Sequence, residues 1–320
     1  MTLTAISIWS LACPACRTPF GVDAGADDAL VCASCRSQYA RRNGVWHLLA
    51  PEREAHFADF LRDYTTIRHA EGRGSNDPDH YRQLPSTSAD DPLAWQWSMR
   101  ARTWNHVVRT VLPTLGRELR VVDVGAGVGW LSHRLALLGH QPFAIDLSID
   151  ERDGLGAARH YAGAWPCAQA EFDRLPLTDG AADLVVFNAS LHYSVDYATT
   201  LTEAMRVLRP DGAVVVLDSP VYRHDSSGRQ MVAERHADFE RRFGLRSESI
   251  ASVEYLTEAM IDELGDGLGL RWQRTQAWYG WRRAARPLVA RLKRRRAPSR
   301  FVVLVGRRAP RAATAPAPAR

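Results

Sequence analysis

Four cysteines lie in the first 35 residues as Cys13-Pro-Ala-Cys16 and Cys32-Ala-Ser-Cys35, with fifteen residues between the pairs. Each C-x2-C turn aims two thiolates at one point, and two such turns at this separation have the spacing of a tetrahedral Zn2+ site. A disulfide framework would use the same residues. The chain is expected to be cytoplasmic, however, because its apolar start, MTLTAISIWSLAC, lacks the basic segment and small-residue cleavage site of a secretory leader, and disulfides do not persist in the cytoplasm. Four thiolates close the coordination sphere, so the expected Zn2+ is structural. Cys167, alone in AWPCAQAEF, reads as a small buried apolar residue.

A second group of residues could cradle a ligand. VVDVGAGVGW, Val121 to Trp130, places Gly125, Gly127 and Gly129 at alternate positions behind Asp123. A dinucleotide fingerprint needs a glycine where Trp130 stands, and a phosphate-binding P-loop needs Gly-Lys-Ser/Thr where the chain has Trp130-Leu131-Ser132. Both are excluded. Asp146 follows the last glycine by seventeen residues, at the end of the next apolar run.

These residues need a frame. LRVVDV, PFAID, ADLVVFN and GAVVVLD are short β-branched runs, each ending in Asp or Asn and separated by helix-like stretches. That alternation predicts a doubly wound α/β fold with a parallel sheet covered on both faces and ligands beyond the strands' carboxyl ends. Upstream, a helix is expected over Glu52 to His69, then a polar loop, then a helical stretch from Leu93 to Leu115. Downstream, RWQRTQAWYG and RFVVLVGRR read as strands. Between them Trp281, Ala285, Leu288, Val289 and Leu292 form one helical stripe, expected to pack on the sheet with a solvated basic face.

No apolar run approaches the roughly 20 residues that span a bilayer. The net charge of +5 is unevenly spread: residues 271–320 hold fifteen Arg or Lys and no acid, leaving residues 1–270 at −10. A basic end on an acidic body leaves nucleic acid, an anionic membrane or an acidic partner open, with segment 281–296 the alternative site of a membrane contact. Lys293 is the only lysine in the chain, a bias that high-GC coding also produces.

Two resemblances sharpen this. LACPACRTPF and LVCASCRSQYARRNGVWHLLAPE resemble the small zinc-ribbon protein that activates tRNA, rRNA and release-factor methyltransferases; a ribbon of this kind also opens a bacterial rRNA guanine methyltransferase. DVGAGVG with Asp146, AEFDRLPLTDGAADLVVFNASLHY and LRPDGAVVVLD resemble, in order and spacing, the motifs of class I S-adenosylmethionine-dependent methyltransferases, nearest the quinone-biosynthesis-like branch. The resemblance implies a Rossmann-like, doubly wound, mostly parallel seven-stranded sheet behind a small N-terminal zinc ribbon. The implied domains are a ribbon at 1–50, a helical linker or cap at 51–118, a methyltransferase domain at 119–309 and a disordered tail at 310–320.

It also implies site residues. Asp123, Gly125, Ala126, Gly127 and Gly129 would line the amino-acid end of S-adenosyl-L-methionine, with Arg100 or Arg102 near its carboxylate. Asp146 and Leu147 would meet the ribose, Glu171 and Phe172 the adenine, and Asn188 would close the pocket beneath the sulfonium. Candidate bases past the strand ends are His192, Tyr193 and Asp218, with His192 favoured by its ordinary pKa. Asn188 lacks the following Pro-Pro-aromatic of exocyclic base methylation. Three functions remain open: methyl transfer to a small-molecule or lipid acceptor; methyl transfer to RNA or protein through the ribbon and the arginine-rich end; and cofactor binding without turnover.

Overall fold

The computed structural model describes residues 8–21, 28–161, 165–245 and 249–310. The N-terminal cysteine-bearing segment, the expected ribbon, contributes β1 (Ala29–Val31), β2 (Gln38–Arg42) and β3 (Val45–His47). Four helices follow: α1 (Pro51–Ala70), α2 (Pro78–Gln83), α3 (Ala94–Thr110) and α4 (Leu112–Leu115). The α/β core then alternates through β4 (Arg120–Val124), α5 (Trp130–Leu137), β5 (Gln141–Asp146), β6 (Cys167–Gln169), β7 (Ala182–Asn188), α6 (Tyr197–Val207) and β8 (Leu208–Leu217). Last come β9 (Pro220–Tyr222), α7 (Asp225–Phe243), β10 (Leu256–Thr257), α8 (Glu258–Leu268), β11 (Leu270–Thr275), α9 (Trp281–Ala284), α10 (Arg286–Leu292), β12 (Arg300–Phe301) and β13 (Val303–Arg308). Within the expected polar loop, α2 is capped by Asp77, whose carboxylate accepts the Asp79 amide at 2.9 Å.

The apolar runs form strands because both faces are buried. Val122 and Val124 pack with Phe143, Ile145, Val185 and α6 on one side; Val121 packs with Ala144, Leu184, Trp130 and Leu131 on the other. Alternate residues serve opposite cores, as a pleated strand requires. Five neighbouring pairs, from β3 through β6, β5, β4 and β7 to β8, are parallel. The order turns back at β4, which lies between β5 and β7, so the crevice opens beyond Val124 and Asn188.

The expected seven-stranded sheet is corrected to ten strands in the order β1-β2-β3-β6-β5-β4-β7-β8-β13-β11, with four antiparallel pairs. Seven of these are the expected core; the other three belong to the ribbon. β3 adds in parallel to β6, with Val45 opposite Cys167 and His47 opposite Gln169, and covers what would be an open edge. Trp9 sits 5.4 Å from Phe143, and Arg17 pairs with the buried Glu203 at 2.8 Å. The ribbon therefore shares the main core.

A second correction concerns 281–292. The expected single helix is two short ones, and its apolar stripe does not pack on the sheet: Trp281 is 82% exposed and Leu292 76%. Of the expected tail, residues 311–320 lie outside the described residues.

Candidate active site

The turn after β4 gives its glycines different tasks. All three have positive φ: +74° at Gly125, +54° at Gly127 and +76° at Gly129. A Cβ on Gly125 would lie 2.3 Å from that of Ser190, and one on Gly129 2.3 Å from the Trp165 ring, whereas one on Gly127 would meet nothing. Gly125 and Gly129 thus serve close packing, and Gly127 leaves open space for a ligand. Asp146 fastens this turn. Its carboxylate accepts the Gly127 and Ser148 amides, each at 2.7 Å. Burial raises its pKa against those two hydrogen bonds.

A cavity of about 510 Å³ opens here. It is bordered by Gly125, Ala126, Gly127, Asp146, Leu147, Glu171, Phe172, Asn188, His192, Tyr193, Asp218 and Arg100, so the sequence-derived residues converge with two exceptions. Gly129 faces Trp165, and Asp123 lies beneath the turn, fully buried and accepting the Ser132 hydroxyl at 2.8 Å. Arg102 is also elsewhere, donating to the Trp278 carbonyl at 3.4 Å.

Burial pushes Asp123 up to about 7, with a smaller contribution from the charge of Asp146, and its Oδ1 has no partner among the described residues. An unfolded aspartate titrates near 4. Between about pH 4 and pH 7 the native state therefore holds a proton that the unfolded chain has lost, and stability falls as pH rises through that window. Asp123→Asn is expected to flatten this fall and to raise the melting temperature at pH 8 by roughly 2–5 °C. Thermal melts from pH 4 to 8 check it, and an unchanged slope would assign the titration to another group.

Two strand ends carry backbone strain. Ala189, after β7, has φ +55°, and Asp218, after β8, has φ +51°. Non-glycine residues there cost on the order of 1 kcal/mol and concentrate at functional sites. Asp218 Oδ1 accepts the Thr103 hydroxyl at 2.6 Å, while Oδ2 is buried and unpartnered. Burial raises its pKa to about 6, opposed by the Thr103 hydrogen bond and the charges of Arg100 and Arg283. His192, bonded to Ser219 at 3.3 Å, moves the other way: burial, then the charges of Arg235 and Arg100, push it down to about 3. An imidazole with a pKa lowered this far is neutral and a weak base near neutral pH.

The helices before β4 complete the wall. Arg53 of α1 grips Glu171 with two nitrogens, at 2.8–3.2 Å, and Arg68 pairs with Asp153. Phe57, Phe60, Tyr64 and Trp97 add aromatic surface. Arg100 lies over the Trp97 ring at 4.6 Å and makes no ion pair among the described residues; burial and the charges of Arg73 and Arg68 lower its pKa to about 10. Sequence motifs miss Arg53, Arg68 and Asp153, whose partners lie about 85 to 118 residues away. Only the acidic start of α1 hints that this helix meets anything.

At the other end of the sheet the four cysteines meet. Cys13 Sγ is 3.6 Å from Cys35 Sγ, Cys16 Sγ is 3.4 Å from Cys32 Sγ, and all four sulfurs lie within 4.8 Å of one another. Thiolates at about 2.3 Å from one tetrahedral ion would stand about 3.8 Å apart. The donor set and its spacing fit Zn2+.

Topology and crevice define a Rossmann-like, doubly wound α/β core. Residues 122–216 match the family described as methyltransferase domain. Over 102 residues, 31% of the chain, the protein is 36% identical to dimethylglycine N-methyltransferase of Parasynechococcus marenigrum, covering 36% of that protein. Over 117 residues, 37% of the chain, it is 32% identical to demethylmenaquinone methyltransferase of Mycobacterium marinum, covering 48% of it. The chain thus spans between about a third and a half of these relatives' length. An S-adenosylmethionine-dependent methyltransferase structure from Mesorhizobium loti aligns with a TM-score of 0.46 at 21% identity, over 65% of this chain and 98% of that one.

Proposed function

We propose that the chain transfers a methyl group from S-adenosyl-L-methionine to a small-molecule or lipid acceptor. The observation that carries this reading is that one cavity is bordered by the open Gly127 turn, by Asp146 and by Asp218, whose Oδ2 has no partner among the described residues. Its volume falls in the range, roughly 300–1,000 Å³, of pockets that enclose organic ligands. Bound there, S-adenosylmethionine supplies an electrophilic methyl group. Asp146 and Leu147 would hold its ribose, Phe172 and the Arg53-oriented Glu171 its adenine, Gly125 to Gly127 and Arg100 its amino-acid end, with Asn188 beneath. The protein's main contributions are alignment and exclusion of water.

When the acceptor atom carries a proton, Asp218 would take it, with Thr103 holding one oxygen of its carboxylate. Its raised pKa suits a general base near neutral pH better than an exposed aspartate would. Cys13, Cys16, Cys32 and Cys35 would bind a structural Zn2+ that keeps the ribbon, and hence β3, on the sheet edge.

The test uses methyl-labelled donor, the purified protein and fractions of a bacterial extract. Label is expected in organic-soluble or small-metabolite fractions, with Asp218→Asn lowering the rate about 10²-fold or more, as loss of a general base does. Label confined to RNA or protein would overturn the acceptor class. Absence of label everywhere would favour a binding protein without turnover.

A further inference from the structure

The segment 278–292 does not behave as part of a solvated globular surface. Trp278 is 57% exposed, Trp281 82%, Leu288 62% and Leu292 76%, and Trp278 stands 4.9 Å from Trp281. The two short helices α9 and α10 follow one helical path, with hydrogen bonds from Ala285 to Trp281, Val289 to Ala285 and Lys293 to Val289. At about 100° per residue, Arg283 and Ala290 share one side of that path, and Trp281, Ala285, Leu288 and Leu292 share the opposite side. The inner side is fixed by contacts: Arg283 lies 4.4 Å over Phe301 and 5.5 Å over Tyr279, and bonds the Ser299 carbonyl at 3.4 Å. The apolar stripe therefore points straight away from the protein.

Charge identifies what it meets. Arg282 falls on one flank of the stripe and Arg291 on the other, Arg286 lies further round toward the inner side, and Lys293, Arg294 and Arg295 follow at the end. Arg282, Arg286 and Arg291 make no ion pair among the described residues, and no acid occurs anywhere from 271 to 320. An apolar ridge with tryptophans, bordered by unneutralised arginines, is the surface of a helix lying in the headgroup layer of an anionic bilayer. Place supports this as well. Arg286, Arg296, Ser299 and Phe301 border the same cavity as Asp218, so the ridge stands at the cavity's rim.

We propose that residues 278–292 dock the protein on an anionic membrane surface and turn the cavity mouth toward the bilayer, so that the acceptor is a lipid-soluble compound that enters from the membrane. The docking stands independently; the acceptor class rests on the methyl-transfer reading above. Among the described residues no helix is long and apolar enough to span a membrane.

The full chain is sedimented with vesicles of phosphatidylcholine and phosphatidylglycerol in a two-to-one ratio, and with vesicles of phosphatidylcholine alone, without methyl donor. Binding to the anionic vesicles is expected, at least about tenfold weaker to the neutral ones and falling with salt. The double variant Leu288→Glu with Leu292→Glu is expected to lose anionic-vesicle binding by at least about tenfold while keeping its affinity for S-adenosylhomocysteine, which also shows that it is folded. Failure of the wild type to bind anionic vesicles at low salt, or full binding by the double variant, would overturn the docking. So would a concentration-dependent dimer in gel filtration that the same variant abolishes, since the stripe would then belong to a second copy. Vesicle binding without any methyl transfer would sink the enzymatic reading and leave the docking intact.

Discussion

Replacing Asp146 with alanine is expected to weaken binding of S-adenosylhomocysteine by at least about 10²-fold in calorimetry, with the protein still folded. Two effects add. In the proposed function the carboxylate would hold the ribose hydroxyls, and charge-assisted hydrogen bonds of that kind contribute roughly 1.5–3 kcal/mol each. It also accepts the Gly127 and Ser148 amides at 2.7 Å, so its loss frees both backbone donors and loosens the turn that leaves space for the ligand. At 1.4 kcal/mol per factor of ten, loss of even two such interactions exceeds a hundredfold. Asp146→Asn separates the effects: the amide keeps the shape but replaces one acceptor with a donor facing an N–H. The asparagine variant should therefore be impaired nearly as much as alanine. Equal affinity of wild type and Asp146→Ala would remove Asp146 from the binding site and with it the assignment of the pocket.

Much of the core was legible because its signals are local. Each of the four central strands is a β-branched run buried on both faces, and the turn glycines must sit where φ is positive, so pattern and chemistry agree within a few residues. What was not legible depends on partners distant in the chain. VWH at 45–47 is a three-residue strand with no local mark of its neighbour, and only the fold reveals that β3 extends the sheet at β6. Periodicity placed Trp281, Leu288 and Leu292 on one face, yet periodicity is silent on whether anything covers that face. The setting of the candidate bases was hidden for a related reason. Histidine's ordinary pKa made His192 attractive, but burial beside Arg235 and Arg100, which lowers that pKa, is a property of three dimensions. Arg53, which orients Glu171, belongs to a helix that composition marks only as polar and charged.

The cysteine cluster yields the second large effect. Cys32 is fully buried in the main core, and Cys13 beside it lies 3.4 Å from the hydroxyl of the buried Tyr39. Four thiolates gathered within 4.8 Å repel one another unless a cation neutralises them. If these thiolates hold Zn2+, as proposed, part of its binding free energy is folding free energy of the N-terminal module. Cys32→Ser is expected to drop the zinc content from one ion per chain to a small fraction of that, measured by emission spectrometry after gel filtration. It should also lower the melting temperature by about 5 °C or more, because β3 is then less firmly held and the β6 edge loses its partner. Far-UV dichroism should keep most of its helical signal, since the helices flank strands that do not depend on the ribbon for their own pairing. A strong chelator acting on the wild type should reproduce the stability loss, and zinc should reverse it. Wild type that contains no zinc when purified under reducing conditions, and that melts at the same temperature with and without chelator, would show that sulfur packing alone holds the ribbon. In that event the sheet extension would have to rest on Trp9 against Phe143 and Arg17 against Glu203, contacts that Trp9→Ala and Arg17→Ala would then expose.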